Sequence, residues 1–296
     1  MDVRSLRYAL TLAEELHFGR AARAHYIAAQ PFGRRIQELE RELGVKLFER
    51  TSRRVALTPA GERFLPRARR VLAEMDELMR TAEGDHAEPV LRVGVLGFGL
   101  ADRWAATRTL LATHHPELEL SYRELDWTTQ YDAVRAGEVD VAVLHDVGGA
   151  DDLLVEPVMN TARCAVVPAE SELADAGHLS AADIAHVPRV KLVGQPGLVD
   201  WGGAPTRRDV EVRSPAHVAT AVATTGRIGF HGEPATRFFP HPGVRYLPLE
   251  GPDPVVAIAS RRNDRRDTVA AFRAATVASP AADSLAAAQA EDAVES

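Results

Sequence analysis

The chain has 296 residues, 46% hydrophobic and 26% charged, a composition that excludes disorder over most of its length and leaves room for two or three domains. A single cysteine, Cys164, excludes an internal disulfide framework or a cysteine-rich metal site, and no apolar run reaches the roughly 18 residues of a membrane-spanning helix. The net charge of −7 hides an asymmetry: residues 1–84 hold 16 Lys+Arg against 12 Asp+Glu, and the remainder 19 against 30. Residues 20–70 alone hold 13 basic against 5 acidic groups, which fits either a polyanion partner or a solvated charged face. The first twenty residues carry acids inside their apolar stretch and lack a small-residue cleavage site. They do not read as a secretory signal, and a cytoplasmic protein is expected.

Leu6, Leu10 and Ala13 recur at helical spacing, with Asp2 placed to cap the start. A second short helix fits Gly19 to Ala24, its Ala21 and Ala22 small enough for a close helix crossing. After a break at Ile27–Ala29, Pro31 suits the first turn of a third helix. There Phe32, Ile36, Leu39 and Leu43 form one apolar stripe, and the opposite face holds Gln30, Arg34, Gln37 and Arg41, with Arg35 beside the stripe. Gly44 closes the helix. Amide and guanidinium groups on that face suit base edges and phosphates in a major groove, although any surface helix has a polar face. Lys46–Glu49 and Val55–Leu57 then read as two short strands around Thr51–Arg54, a small wing with Arg50, Arg53 and Arg54 at or near its tip. A helix-turn-helix with a cationic wing contacts groove and backbone together.

Two stretches, HFGRAARAHYI and IQELERELGVKLFERTSRRVALTPAGERFL, resemble the LysR-type transcriptional regulators. The most specific part is Leu47-Phe48-x-Arg50-x-x-Arg53-x-Val55-x-Leu57-Thr58-x-Ala60-Gly61, and the resemblance continues through nearly the whole chain. One departure concerns the start of the third helix, where the family reads Ser-Gln-Pro-Ala-Leu-Ser-Arg. Here Ala28-Ala29-Gln30-Pro31-Phe32-Gly33-Arg34 displaces the glutamine and proline by one position and removes both serines. The resemblance implies DNA contacts by Arg20, Gln30, Pro31, Arg34, Arg35, Gln37, Arg50, Arg53 and Arg54. It also implies double-stranded promoter DNA, a small-molecule effector and a second copy of the chain (dimer or dimer of dimers) as partners, with RNA polymerase a further one. No cofactor, metal or membrane is expected.

Thr58 can cap a further helix with Pro59 at its first position. Phe64, Ala68, Val71, Met75 and Leu78 follow at heptad-like spacing, and Leu65, Leu72 and Met79 repeat at seven. This stripe fits a dimer seam or packing against the chain's own second domain; the resemblance favours the dimer. Pro66 is expected to kink the helix, and Gly84–Pro89 reads as a hinge.

In the second half, Leu91–Leu96 is a strand ending in Gly97-Phe98-Gly99, a helix fits Ala101 to Thr113, and Leu118, Leu120 and Tyr122 alternate as a strand. Thr128–Ala136 reads as a helix and Val139–Leu144 as a buried strand, together a parallel α/β unit. Cys164–Val167 and Lys191–Val193 would start a second such unit. Ala216–Ala223 suits a helix, and Arg245–Leu247 and Val255–Ala259 suit returning strands. The fold class is therefore α/β overall: an all-α winged helix-turn-helix (1–58), a linker helix (59–84), a hinge (85–89) and an effector-binding region (90–279). By the resemblance, that region is a two-subdomain, periplasmic-binding-protein-like domain. Its crossovers are expected near Met159–Arg163 and Gly232–Gly243, giving subdomain I 90–160 with 244–279 and subdomain II 161–243. Residues 280–296 read as a tail.

Open α/β sheets bind ligands where strands end and helices begin, so Phe98, Gly99, Leu100, Ala101, Thr128, Thr129, Trp201 and Phe230 are the effector candidates. Thr128 and Thr129 could hold a carboxylate at a helix start, or Thr128 could be a plain cap. The first-strand loop lacks the serine or threonine that the family offers there, and Gly226-Arg227-Ile228-Gly229 departs from its Gly-x-Gly. Phe98, Trp127, Trp201 and Phe230 suit either an aromatic effector or core packing. Cys164 reads as a buried hydrophobe rather than a redox sensor. Asp102 stands where a dinucleotide fingerprint needs its third glycine, and no serine-hydrolase elbow, Walker lysine or His-Glu-x-x-His motif occurs, so no enzyme is expected. The alternatives are a solute-binding protein or an enzyme with an appended DNA-binding module.

Overall fold

The computed structural model describes residues 2–50, 55–82, 90–195, 197–198 and 210–279. Arg53, Arg54, Trp201, the expected hinge at 85–89 and the tail at 280–296 lie outside these. The chain divides into two compact units, one holding the elements up to residue 82 and the other beginning at residue 90.

The first unit contains α1 (Val3–Glu15), α2 (Phe18–Ala24), α3 (Ala29–Leu43), the strands β1 (Phe48–Arg50) and β2 (Val55–Leu57), and α4 (Pro59–Ala82). Asp2 Oδ1 accepts the Ser5 amide at 2.7 Å and starts α1. His17 Nδ1 accepts the Gly19 and Arg20 amides and starts α2. Tyr26 takes a left-handed backbone (φ +55°) in the turn into α3, and Gly44 closes α3 at φ +69°. The strands pair antiparallel, with Phe48 opposite Leu57 and Arg50 opposite Val55. Leu6, Leu12, Ala21, Phe32, Ile36 and Leu39 are buried in one core, where the Tyr8 and Phe32 rings stack at 5.0 Å. The linker helix expected at 59–84 is α4, and it belongs to this unit. Leu65, Ala68 and Leu72 of α4 are buried in the same core, and the helix runs unbroken through Pro66.

The second unit has a five-stranded sheet built from β3 (Val90–Leu96), β4 (Glu119–Leu125), β5 (Val141–His145), β6 (Leu153–Asn160) and β12 (Val255–Arg261), in the order β4-β3-β5-β12-β6. The β3 pairs are parallel, and β12 runs antiparallel to both neighbours. The second sheet is β10 (Gly229–Gly232), β7 (Arg163–Pro168) and β11 (Val244–Pro248), in that order, and β8 (Lys191–Leu192) pairs with β9 (Glu211–Val212). The helices that lie wholly among the described residues are α5 (Trp104–His114), α6 (Asp132–Arg135), α7 (Val218–Thr225), α8 (Ala235–Phe238) and α9 (Asp267–Ala278). The second sheet corrects the expected parallel unit, because both neighbours of β7 run antiparallel to it. The return crossover is corrected too. β11 hydrogen-bonds to β7, so the chain leaves the second sheet after Pro248 and enters the first at Val255.

Buried charge fastens the first sheet. The fully buried Asp140 accepts from Arg92 Nη2 and from Arg266 Nη2, each at 2.7 Å. Burial alone would raise the Asp140 carboxyl, but the Arg92 and Arg266 hydrogen bonds and charges outweigh it and hold the group well below the usual carboxylate range. β6 escaped the sequence reading because Glu156 and Pro157 interrupt its pattern. It is an edge strand, where a proline costs no ladder bond, and its register shifts between Val256 and Ala257.

Candidate nucleic-acid interface and ligand cleft

Phe32, Ile36 and Leu39 turn one face of α3 into the core, and Gln30, Pro31, Arg34, Arg35, Gln37 and Arg41 are exposed on the other. Ala28 supplies no side-chain cap and the first turn holds no acid, so the helix start keeps its positive dipole end uncovered. Among the described residues, Arg34 has no acidic partner. Arg35 lies 3.6 Å from Asp2 and 3.7 Å from Glu38, and Arg20 pairs with Glu15 at 2.7 Å while staying exposed.

Arg50 is the last residue of β1, opposite Val55 and next to the wing's turn as expected, but its side chain is held. Its guanidinium lies 4.5 Å over the Phe18 ring and 3.5 Å from Glu40 Oε2. The reason is Glu40, a buried carboxylate in the last turns of α3 that sequence reading passed over. Glu40 Oε1 accepts the backbone amides of Leu47 and Phe48 at 2.9 and 3.1 Å, and Oε2 meets Lys46 Nζ at 3.1 Å. Thr58 completes the junction: its amide donates to the Leu47 carbonyl, its hydroxyl donates to the Lys46 carbonyl at 2.6 Å, and its Oγ1 accepts the Gly61 amide. A Cβ at Gly61 would lie 2.3 Å from the Leu47 oxygen. Leu47, Phe48, Thr58 and Gly61 of the signature thus form one packed joint that fixes the wing strands against α3 and α4.

The expected dimer stripe on α4 splits in two. Leu65, Ala68 and Leu72 are buried in the unit's own core, with Phe64 packed against it, because α4 crosses α1. Val71, Met75 and Leu78 remain exposed, at 54%, 41% and 67%.

In the second unit the effector candidates are largely internal. Phe98, Leu100, Ala101 and Phe230 are buried, and Gly99 turns the chain at φ +58°, where a Cβ would strike Val95 and Trp104. The Phe98 ring lies between His145 of the first sheet and His231 of the second, at 5.6 and 5.8 Å. Trp127 Nε1 donates to His145 Nδ1 at 3.2 Å. His231 Nδ1 accepts the Gly232 amide, and its Nε2 faces the Pro215 carbonyl at 3.2 Å.

Thr128 and Thr129 are accessible, but their donors are already taken. Asp126 Oδ1 accepts the Thr128 and Thr129 amides at 2.8 and 2.9 Å and both hydroxyls at 2.6 and 3.0 Å. The expected helix from Thr128 is instead this turn, followed by the four-residue α6. Thr129 lines a concavity of about 330 Å³ with Arg123, Glu124, Asp126, Ser214 and His217, between the end of β4 and the turn before α7. Cys164 is buried and donates to the His231 carbonyl. Burial first, and the charge of Glu233 second, push its thiol up to about 12. Among the described residues no group of three or more His, Cys, Asp or Glu could hold a metal ion, and no helix is long and apolar enough to cross a membrane.

Residues 3–62 match the family described as the bacterial regulatory helix-turn-helix protein, lysR family, and residues 84–285 match the LysR substrate binding domain. In sequence, the chain is similar to the uncharacterized HTH-type transcriptional regulator YnfL of Escherichia coli (strain K12), 32% identical over 193 residues, covering 64% of this chain and 65% of that protein. It is also similar to the probable cat1 operon transcriptional activator of Acinetobacter lwoffii, 36% identical over 177 residues, covering 59% and 58%. The matched regions thus span less than two thirds of either relative. In fold it is similar to the LysR family transcriptional regulator CbnR, with a TM-score of 0.62 at 20% identity over 93% of this chain and 98% of that one. Two matches in tandem, one on the helix-turn-helix and one on the paired sheets, identify the chain as a member of the LysR family of bacterial transcriptional regulators.

Proposed function

We propose that this protein binds promoter DNA through α3 and its wing, pairs through the exposed face of α4, and answers to a small molecule held in its second unit. The observation that carries the reading is α3 itself. One face is locked in the core and the other offers Gln30, Arg34, Gln37 and Arg41 to solvent, groups that read base edges and phosphates. Arg20 of α2, Arg35 of α3 and Arg50 of β1 are exposed on the same unit, and the sequence adds Arg53 and Arg54 to the wing. The Val71–Met75–Leu78 strip supports pairing, since two helix-turn-helix units on successive duplex turns read a pseudo-palindrome. The concavity of about 330 Å³ beside Thr129 is large enough for a small metabolite and touches both subdomains. A ligand there would favour one arrangement of the subdomains over another, and so of the paired DNA-binding units.

The test is binding of the full chain to duplexes that it selects from a random-sequence pool, measured as affinity against salt. Tight binding that falls steeply as salt rises is expected. Negligible binding at low salt overturns the reading.

A further inference from the structure

Beside the base-reading face, the first unit has a second concavity, of about 420 Å³, between the starts of α1 and α3. It is lined by Arg4, Tyr8, Ile27, Pro31, Arg34, Arg35 and Glu38. Three guanidinium groups meet one carboxylate there, a surplus of two positive charges. Among the described residues neither Arg4 nor Arg34 has an acidic partner. Glu38 is drawn toward Arg35, at 3.7 Å, and Asp2 holds the same Arg35 from the other side at 3.6 Å. The one acid in the groove is thus engaged, and two cations are left to a ligand.

We propose that this groove seats a phosphate of the DNA backbone, with Arg4 of α1 as a clamp. The assignment rests on the regulator reading above and adds a residue to it. Guanidinium groups suit the oxygens of a phosphate, which they meet with paired N–H bonds. Arg34 stands on both the groove and the outer face of α3, so a phosphate held here fixes the register in which Gln30 and Arg34 meet bases. Tyr8 and Ile27 form the groove's apolar wall, and Tyr8 is itself pinned by its stack on Phe32.

The experiment compares the wild-type full chain with Arg4→Gln, Arg4→Lys and a charge control, Arg108→Gln, on the exposed side of α5. Each is titrated with a duplex selected by the wild-type chain, over a range of salt. Arg4→Gln is expected to weaken binding about tenfold, to lower the slope of log K against log salt by about 0.9, the value of one phosphate contact, and to leave the preferred sequence unchanged. Arg4→Lys keeps the slope, and Arg108→Gln keeps both. An Arg4→Gln chain indistinguishable from Arg108→Gln, while the wild type binds, overturns the clamp alone. A wild-type chain that binds no duplex overturns the regulator reading and the clamp with it. A second arm adds inorganic phosphate in place of DNA. Thermal stabilisation beyond that of chloride at equal ionic strength, lost in Arg4→Gln, would mark a site for free phosphate and overturn the backbone assignment; no such stabilisation supports it.

Discussion

Asp126 Oδ1 lies 2.8 Å from the Thr128 amide and gathers four donors from two residues. The carboxylate that this turn could take from an effector is supplied by the chain itself. Removing it in Asp126→Ala should cost about 1 kcal/mol, as loss of a helix cap does, and open the Thr128 and Thr129 donors. Acetate should then raise the melting temperature of the variant and leave the wild type unmoved. Equal responses to acetate would show that the donors are not the seat of an anion.

Glu40 is expected to hold the wing in place. Glu40→Ala strands two buried amides and removes the partner of Lys46 and Arg50, so a loss of about 3 kcal/mol is expected. Glu40→Gln keeps an acceptor for Leu47 and Phe48 and gives up only the ion pairs. Lys46 is largely exposed, so the smaller loss is about 1 kcal/mol. Urea unfolding of the two variants separates them; equal losses would mean that the backbone hydrogen bonds contribute nothing.

The two faces of α4 should respond differently to substitution. Leu78→Arg places charge on the exposed strip and should weaken self-association in sedimentation experiments without destabilising the fold. Leu72→Ala, in the buried core, should cost about 3 kcal/mol at any concentration. If Leu78→Arg leaves the oligomer intact at submicromolar protein, the strip is not the pairing surface.

The helix-turn-helix was legible because its pattern is local. Phe32, Ile36 and Leu39 announce their face by spacing, and Gly44 marks the end of the helix. Glu40 was not legible, since an acid among Glu38, Arg41 and Glu42 reads as solvated until the wing folds over it. The same limit applies to the effector candidates. Strand ends located Phe98 and Phe230, but whether an aromatic lines a cavity or fills it depends on the distance between two sheets, which no periodicity records. The second sheet was misread for a related reason. The segments joining β7, β10 and β11 are long, and alternation of strand and helix says nothing of direction once a connection can cross either way. Arg4 escaped because one arginine on an amphipathic helix has no local signature; only the packing of α1 against α3 brings it to Arg34.

Acid should destabilise the second unit through its buried histidines. Burial, with the neighbouring His231 adding to it, holds His145 down to about 3, and burial holds His231 down to about 4 although its Nε2 faces the Pro215 carbonyl. Unfolded histidine titrates near 6.5, about where model peptides do. Between these values the unfolded chain binds protons that the folded chain refuses. The stability is therefore complete above about pH 6.5 and is lost as the pH falls toward the folded values. Asp140 contributes only in a lower window, because its ordinary titration lies near 3.9 and its folded value below that. Melting temperatures measured from pH 7 to pH 5 should fall for the wild type. His145→Gln with His231→Gln should start from a lower melting temperature and decline less, since neither amide takes up a proton on unfolding. A double variant with the full wild-type decline would move the acid response to other groups and leave the Phe98 sandwich without a part in it.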